Sequence, residues 1–189
     1  QLLQTGLGFD PLGTGLRLLP GWATLALIAP FAGSLIGRVG ERPLIAAGLT
    51  VAAAGLAWIA LIARTGLPYE DLIAPLILAG SGASVAIPAT MSAMMTSVPS
   101  TAIGQASGTL NMLRQLGGVF GIAICAAVFA ARGGYASPAQ FTRGFGPAMG
   151  ACAGLALLGA VAGLTLPGKQ RPAPATQIQP VPQPLETRR

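Results

Sequence analysis

The chain has 189 residues, 52% of them hydrophobic and only 8% charged, with a formal net charge of +6 and no histidine. A soluble domain carries roughly 25% charged residues, so this chain cannot cover itself with a solvated surface. Its basic residues stand singly at the ends of apolar runs and form no stripe, which argues against a nucleic-acid binder; without histidine, a Ser-His-Asp hydrolase is equally poorly supported.

Residues 1–12 have no periodicity and end in the turn-like Asp10-Pro11, which reads as an extracytoplasmic loop between spans. The first residue is Gln and the first charge is an aspartate, so a basic leader is missing and the chain is expected to begin inside something longer. Residues 13–166 then carry about five long runs, near 13–37, 43–63, 72–98, 102–131 and 145–166. They do not alternate with period two, so the expected fold is all-α, a polytopic bundle of membrane helices rather than a barrel. The uncharged stretch 18–37 gives about 30 Å of helix, one bilayer core, and its Pro20 and Pro30 are tolerable where neighbouring helices satisfy the freed carbonyls.

Residues 38–43 form a short charged turn, and 64–71 a polar loop with Tyr69, Glu70 and Asp71. Pro75, the Gly80-Ser81-Gly82 triplet and Pro88 break the third span, either as a plain kink or as a bend used in a working cycle. Met91, Met94 and Met95 in that span are packing residues or an adaptable binding surface. Residues 132–144 read as a loop. The fifth span spaces Gly146, Gly150 and Gly154 four apart, a stripe suited to close helix contact. Cys125 and Cys152 lie in separate apolar runs and read as small packing side chains, so neither a disulfide nor a zinc site is favoured. No cofactor is expected. Residues 167–189 change to Pro, Gln and Lys/Arg without an apolar run, a disordered solvent-facing tail.

Five spans put the termini on opposite sides. Arg38, Arg42, Lys169 and Arg171 fall on one side and Arg17, Arg64, Arg132 and Arg143 on the other, so charge alone does not orient the chain.

The stretch 104–121, GQASGTLNMLRQLGGVFG, stands apart. At 3.6 residues per turn, Gly104, Ser107, Gly108, Asn111, Arg114, Gln115 and Gly118 share one face, and Leu113, Leu116, Phe120 and Ile124 the other. In a bilayer the apolar face meets lipid while the polar face meets helices or a watery cavity. Arg114 stays protonated, and burying it costs about 3 kcal/mol even on a lenient insertion scale. Its compensating partner is either an acid elsewhere in the protein or backbone carbonyls that it clamps. Asn111 and Gln115 beside it line a pathway or make interhelical hydrogen bonds.

Three motifs carry a family resemblance. Residues 33–42, Gly-Ser-Leu-Ile-Gly-Arg-Val-Gly-Glu-Arg, resemble the G-x-x-x-D-R-x-G-R-R/K loop signature of the major facilitator superfamily through Gly33, Arg38, Gly40 and Arg42. Residues 104–118, Gly-Gln-Ala-Ser-Gly-x-x-Asn-x-x-Arg-Gln-x-Gly-Gly, look like the second half of the fourteen-helix drug:proton antiporter branch, and the lead-in 10–20 is similar to the same branch. Gly37 stands where the signature has its aspartate and Glu41 where it has a basic residue, which puts a gating role for this loop in doubt.

The resemblance implies the C-terminal part of a proton-coupled multidrug exporter in the bacterial inner membrane, with a cytoplasmic tail and amphipathic organic substrates. An N-terminal bundle of the same protein would supply the other wall of the path, and substrate would bind near the midplane between halves that alternate access. Between residues 18 and 166 the only acids are Glu41, Glu70 and Asp71, all at loops, so a proton-coupling carboxylate is expected in that other bundle. Arg114, Asn111 and Gln115 are the candidates for the pathway or coupling, and Gly104, Gly108, Gly118, Gly146, Gly150 and Gly154 for helix packing. A non-transporting membrane scaffold is the alternative; no enzyme is expected.

Overall fold

The computed structural model describes residues 10, 12–16, 27–28 and 33–165. Most of the first expected span and all of the tail lie outside these residues. The described chain is helical, and four of its helices are long and apolar enough to cross a membrane. They are α1 (Glu41–Ile62), α2 (Tyr69–Ser97), α3 (Ile103–Arg132) and α4 (Pro138–Leu164), with one 3₁₀ turn at Ser100–Ala102 before α3. A helix is what such apolar runs must form in lipid, because it satisfies every backbone donor and acceptor within the segment.

Local chemistry sets the ends. Residues 33–39 are helical and α1 begins at Glu41, so the charged turn expected over 38–43 contracts to Gly40. Gly40 has φ 94° and ψ 164°, a conformation open to glycine and strained for side chains. Glu41 in the first turn of α1 favours the positive end of the helix dipole. Helix α2 stops where Val98 precedes Pro99, which forces Val98 to an extended φ/ψ of −125° and 149°.

Helix α4 starts at Pro138, well before residue 145 where the apolar run begins. Ser137 supplies the start: its hydroxyl accepts from the Gln140 backbone N–H at 3.2 Å, and Pro138 follows at the first helical position. Thr142 turns its hydroxyl back to the Pro138 carbonyl at 2.7 Å, so this polar first turn satisfies itself inside the helix.

In space the helices run in the order α2, α1, α4, α3, with a smaller contact returning from α3 to α2. Glycine sets the α1–α2 approach. A Cβ added at Gly55 would lie 2.5 Å from the Ala79 nitrogen, and one at Gly48 would lie 2.8 Å from the Gly82 carbonyl oxygen. One at Gly82 would overlap the Ala52 nitrogen and Gly48 oxygen. Without a hydrophobic drive in lipid, such backbone contact supplies the dispersion that holds helices together.

Two clusters close the ends of the bundle. Ile59, Leu67, Leu72 and Phe141 are buried together where loops 63–68 and 133–137 meet, with Phe129 and Phe145 against them. At the Gly40 end, Leu44, Ile45 and Ala89 pack with Ile36 and Val85.

Candidate functional site

Helix α3 has no buried residue among those described. Asn111, Arg114 and Gln115 are all exposed on it. None of the three side chains makes a hydrogen bond or ion pair with another described residue. Gly104, Gly108 and Gly118, on the same face, have no neighbour within 4 Å of an added Cβ. Residues 111–120 are exposed all round, Leu113, Leu116 and Phe120 included, so the described helices leave both faces of this stretch open, with Gly118 at the edge of the groove between α3 and α4.

The fifth-span glycines divide. Gly146 packs, its added Cβ falling 3.2 Å from the Ala60 carbonyl, while Gly150 and Gly154 meet nothing. The contact of α4 with α1 instead continues through Gly159, against Leu49, and Gly163, against Ile45. The α1–α2 glycines Gly48, Gly55 and Gly82 bring backbone against backbone, and the sequence reading did not single them out for packing.

Of the loop-signature residues, Gly40 is buried at the start of α1, and Gly33, Arg38 and Arg42 are exposed. Glu41, the departure from the signature, accepts a hydrogen bond from the Ser92 hydroxyl at 3.1 Å. This ties the start of α1 to the last third of α2, beyond Pro88. The other acids in the helices, Glu70 and Asp71, sit in the first turn of α2, where Asp71 lies 3.6 Å from Arg64 across an exposed loop. No group of three His, Cys, Asp or Glu suited to a metal occurs among the described residues. On α2, Met91 and Met95 are exposed.

These features amount to apolar membrane helices, a polar face with one fixed cation, and a short glycine-hinged link ahead of α1. The family model for the Major Facilitator Superfamily matches residues 1–188. The chain belongs to this superfamily. Members of the major facilitator superfamily are membrane transporters, not enzymes. The chain is 36% identical over 131 residues to the multidrug resistance protein Stp of Mycobacterium tuberculosis, covering 69% of this chain and 24% of Stp. It is 31% identical over 176 residues to the cephamycin export protein CmcT of Amycolatopsis lactamdurans, covering 90% of this chain and 33% of CmcT. It is 30% identical over 130 residues to a probable actinorhodin transporter of Streptomyces coelicolor, covering 67% of this chain and 22% of that relative. The chain thus spans between about a quarter and a third of the length of these relatives, as an integral membrane protein of the same superfamily.

Proposed function

We propose that this chain forms the C-terminal part of a multidrug efflux transporter of the bacterial plasma membrane, in the fourteen-helix drug:proton antiporter branch. The observation that carries the reading is the open face of α3. A helix that presents Asn111, Arg114, Gln115 and three glycines, with no described residue buried, is built to meet something else. Relatives named for multidrug resistance and for cephamycin export, three to four times as long as the matched stretch, supply room for that partner. The partner is a second bundle of the same protein, and small amphipathic organic molecules pass between the two by alternating access.

Proton coupling follows the same division of labour. Arg114 does not release its proton, and the acids of α1 and α2 stand at helix starts. The titrating carboxylate therefore belongs to the other bundle, with Arg114 as its counter-charge. The Arg38–Arg42 end and the tail face the cytoplasm in this arrangement.

The test is efflux of a fluorescent amphipathic dye from cells expressing the complete gene. Arg114→Ala, at equal membrane abundance, is expected to lower gradient-dependent efflux about tenfold or more. That is the loss of a charge-assisted hydrogen bond of about 1.5 to 3 kcal/mol. Unchanged efflux would reduce Arg114 to a structural clamp, and no efflux by the intact gene across a varied dye panel would favour a non-transporting scaffold. Charge-swapped pairs between Arg114 and acids of the other bundle then identify its partner by rescue.

A further inference from the structure

The transport reading leaves two side chains unused. Cys125 and Cys152 come from different spans, yet their sulfurs lie 2.6 Å apart across the α3–α4 contact. The backbone register explains the meeting. At the loop end of this antiparallel pair, an added Cβ on Gly133 would lie 2.6 Å from the Gly144 Cα, and one on Gly144 would lie 2.8 Å from the Gly133 Cα. Two glycines thus let the chains touch and fix which residues face each other. Eight residues back from Gly133 is Cys125, and eight residues forward from Gly144 is Cys152. The glycine contact and the thiol contact are the same register, read about 12 Å apart along the helices.

The pair is also reachable. Neither cysteine is fully buried. Both line an open groove of about 800 Å³ between α3 and α4, shared with Gly121, Ile122, Phe129 and Met149. None of the described residues that line it is charged, so it admits an apolar reagent and repels an ionic one.

We propose that Cys125 and Cys152 are a redox modification site, closed to an intramolecular disulfide by an apolar two-electron oxidant of the quinone class. The two S–H bonds break and one S–S bond forms. The thiols together release two electrons and two protons, and the quinone takes up both pairs to become the quinol. A dithiol reductant reverses the step by thiol–disulfide exchange. Because α3 touches chiefly α4 among the described helices, the link fastens the helix that carries Arg114 to the rest of the bundle.

The inference does not depend on the transported substrate, and its test reads covalent linkage rather than transport. A protease site is placed in the loop at residues 134–136 of the complete protein. Membranes are exposed to a short-chain benzoquinone whose ring is fully substituted, leaving no position for thiol addition, and remaining thiols are blocked with a maleimide. After cleavage, the two fragments are expected to run together without reductant and to separate with dithiothreitol. Cys125→Ser and Cys152→Ser are each expected to separate without reductant. Separation of the unsubstituted fragments would overturn the proposal, as would linkage persisting in either serine variant. If the inserted site prevents folding, peptide mass spectrometry of the intact protein gives the same decision. A joined peptide pair containing residues 125 and 152 supports the site, and maleimide on both cysteines after quinone exposure refutes it.

Discussion

Gly55→Ala tests the packing argument at its sharpest point. The added methyl would stand 2.5 Å from the Ala79 nitrogen, 2.8 Å from the Pro75 carbonyl oxygen and 2.9 Å from the Ala79 Cα. All three are backbone atoms of α2, so no side-chain rotation relieves the overlap. Ordinary carbon contacts begin near about 3.5 Å, so α1 and α2 must part by close to an ångström. That separation forfeits a quarter to a half of the dispersion at neighbouring contacts. The expected loss is about 1 to 3 kcal/mol, the usual cost of overpacking. Gly159→Ala is the matched control on α4. Its methyl would meet only the tip of Leu49, at 3.2 Å, and that tip can rotate aside. This variant is expected to be neutral or slightly stabilised, since Ala is the better helix former by up to about 1 kcal/mol. The assay is denaturant titration of the complete protein in mixed micelles, with both variants beside the parent. Equal stability of Gly55→Ala and parent would refute backbone contact at α1–α2, and an equal loss in Gly159→Ala would refute the distinction between backbone and side-chain neighbours.

Two further outcomes follow from the helix starts. Gly40→Ala forces a side chain into φ 94°, at a cost of about 1 to 3 kcal/mol, and is expected to lower membrane abundance in a pulse-chase measurement. Ser137→Ala removes the cap of α4 at about 1 kcal/mol, while Ser137→Asp keeps an accepting oxygen and restores stability in the same micelle titration.

Much of this architecture is legible in the sequence, for a physical reason. Long uncharged runs have one way to satisfy their backbones in lipid, and α1, α2 and α3 fall close to the expected 43–63, 72–98 and 102–131. The start of α4 was not legible from hydropathy, because Gln140, Thr142 and Arg143 interrupt the apolar run. The Ser137-Pro138 pair is a helix-start signal of its own, independent of hydropathy. Glycine spacing was a weaker guide. Gly150 and Gly154 keep the right interval yet meet nothing, while Gly55 and Gly82 carry close contacts outside any such stripe. Spacing reports which residues share a face, but the choice of partner is made by the whole bundle. The cysteine contact was missed, since residues 125 and 152 read as packing side chains in separate runs; their near-equal distance from the expected loop 132–144 is the signal, because a helical hairpin pairs such positions. The residues around Arg114 share a face because a helix needs only the 3.6-residue period, and the described helices leave that face and the apolar one opposite it exposed alike.

The spatial order of the helices also bears on how the chain is made. A ribosome delivers α1 and α2 in succession, and their glycine-lined surfaces can join as soon as both have left the translocon. Helix α3 has no such companion at hand, since its principal neighbour among the described helices, α4, is synthesised after it. The loop end of α3 therefore gains its packing only when α4 arrives and packs on both α1 and α3, while Arg114, nearer the Ile103 end, stays exposed beside the described helices. Assembly of the described helices is therefore ordered: α4 joins two partners already made, α1 along its length and α3 at its loop end.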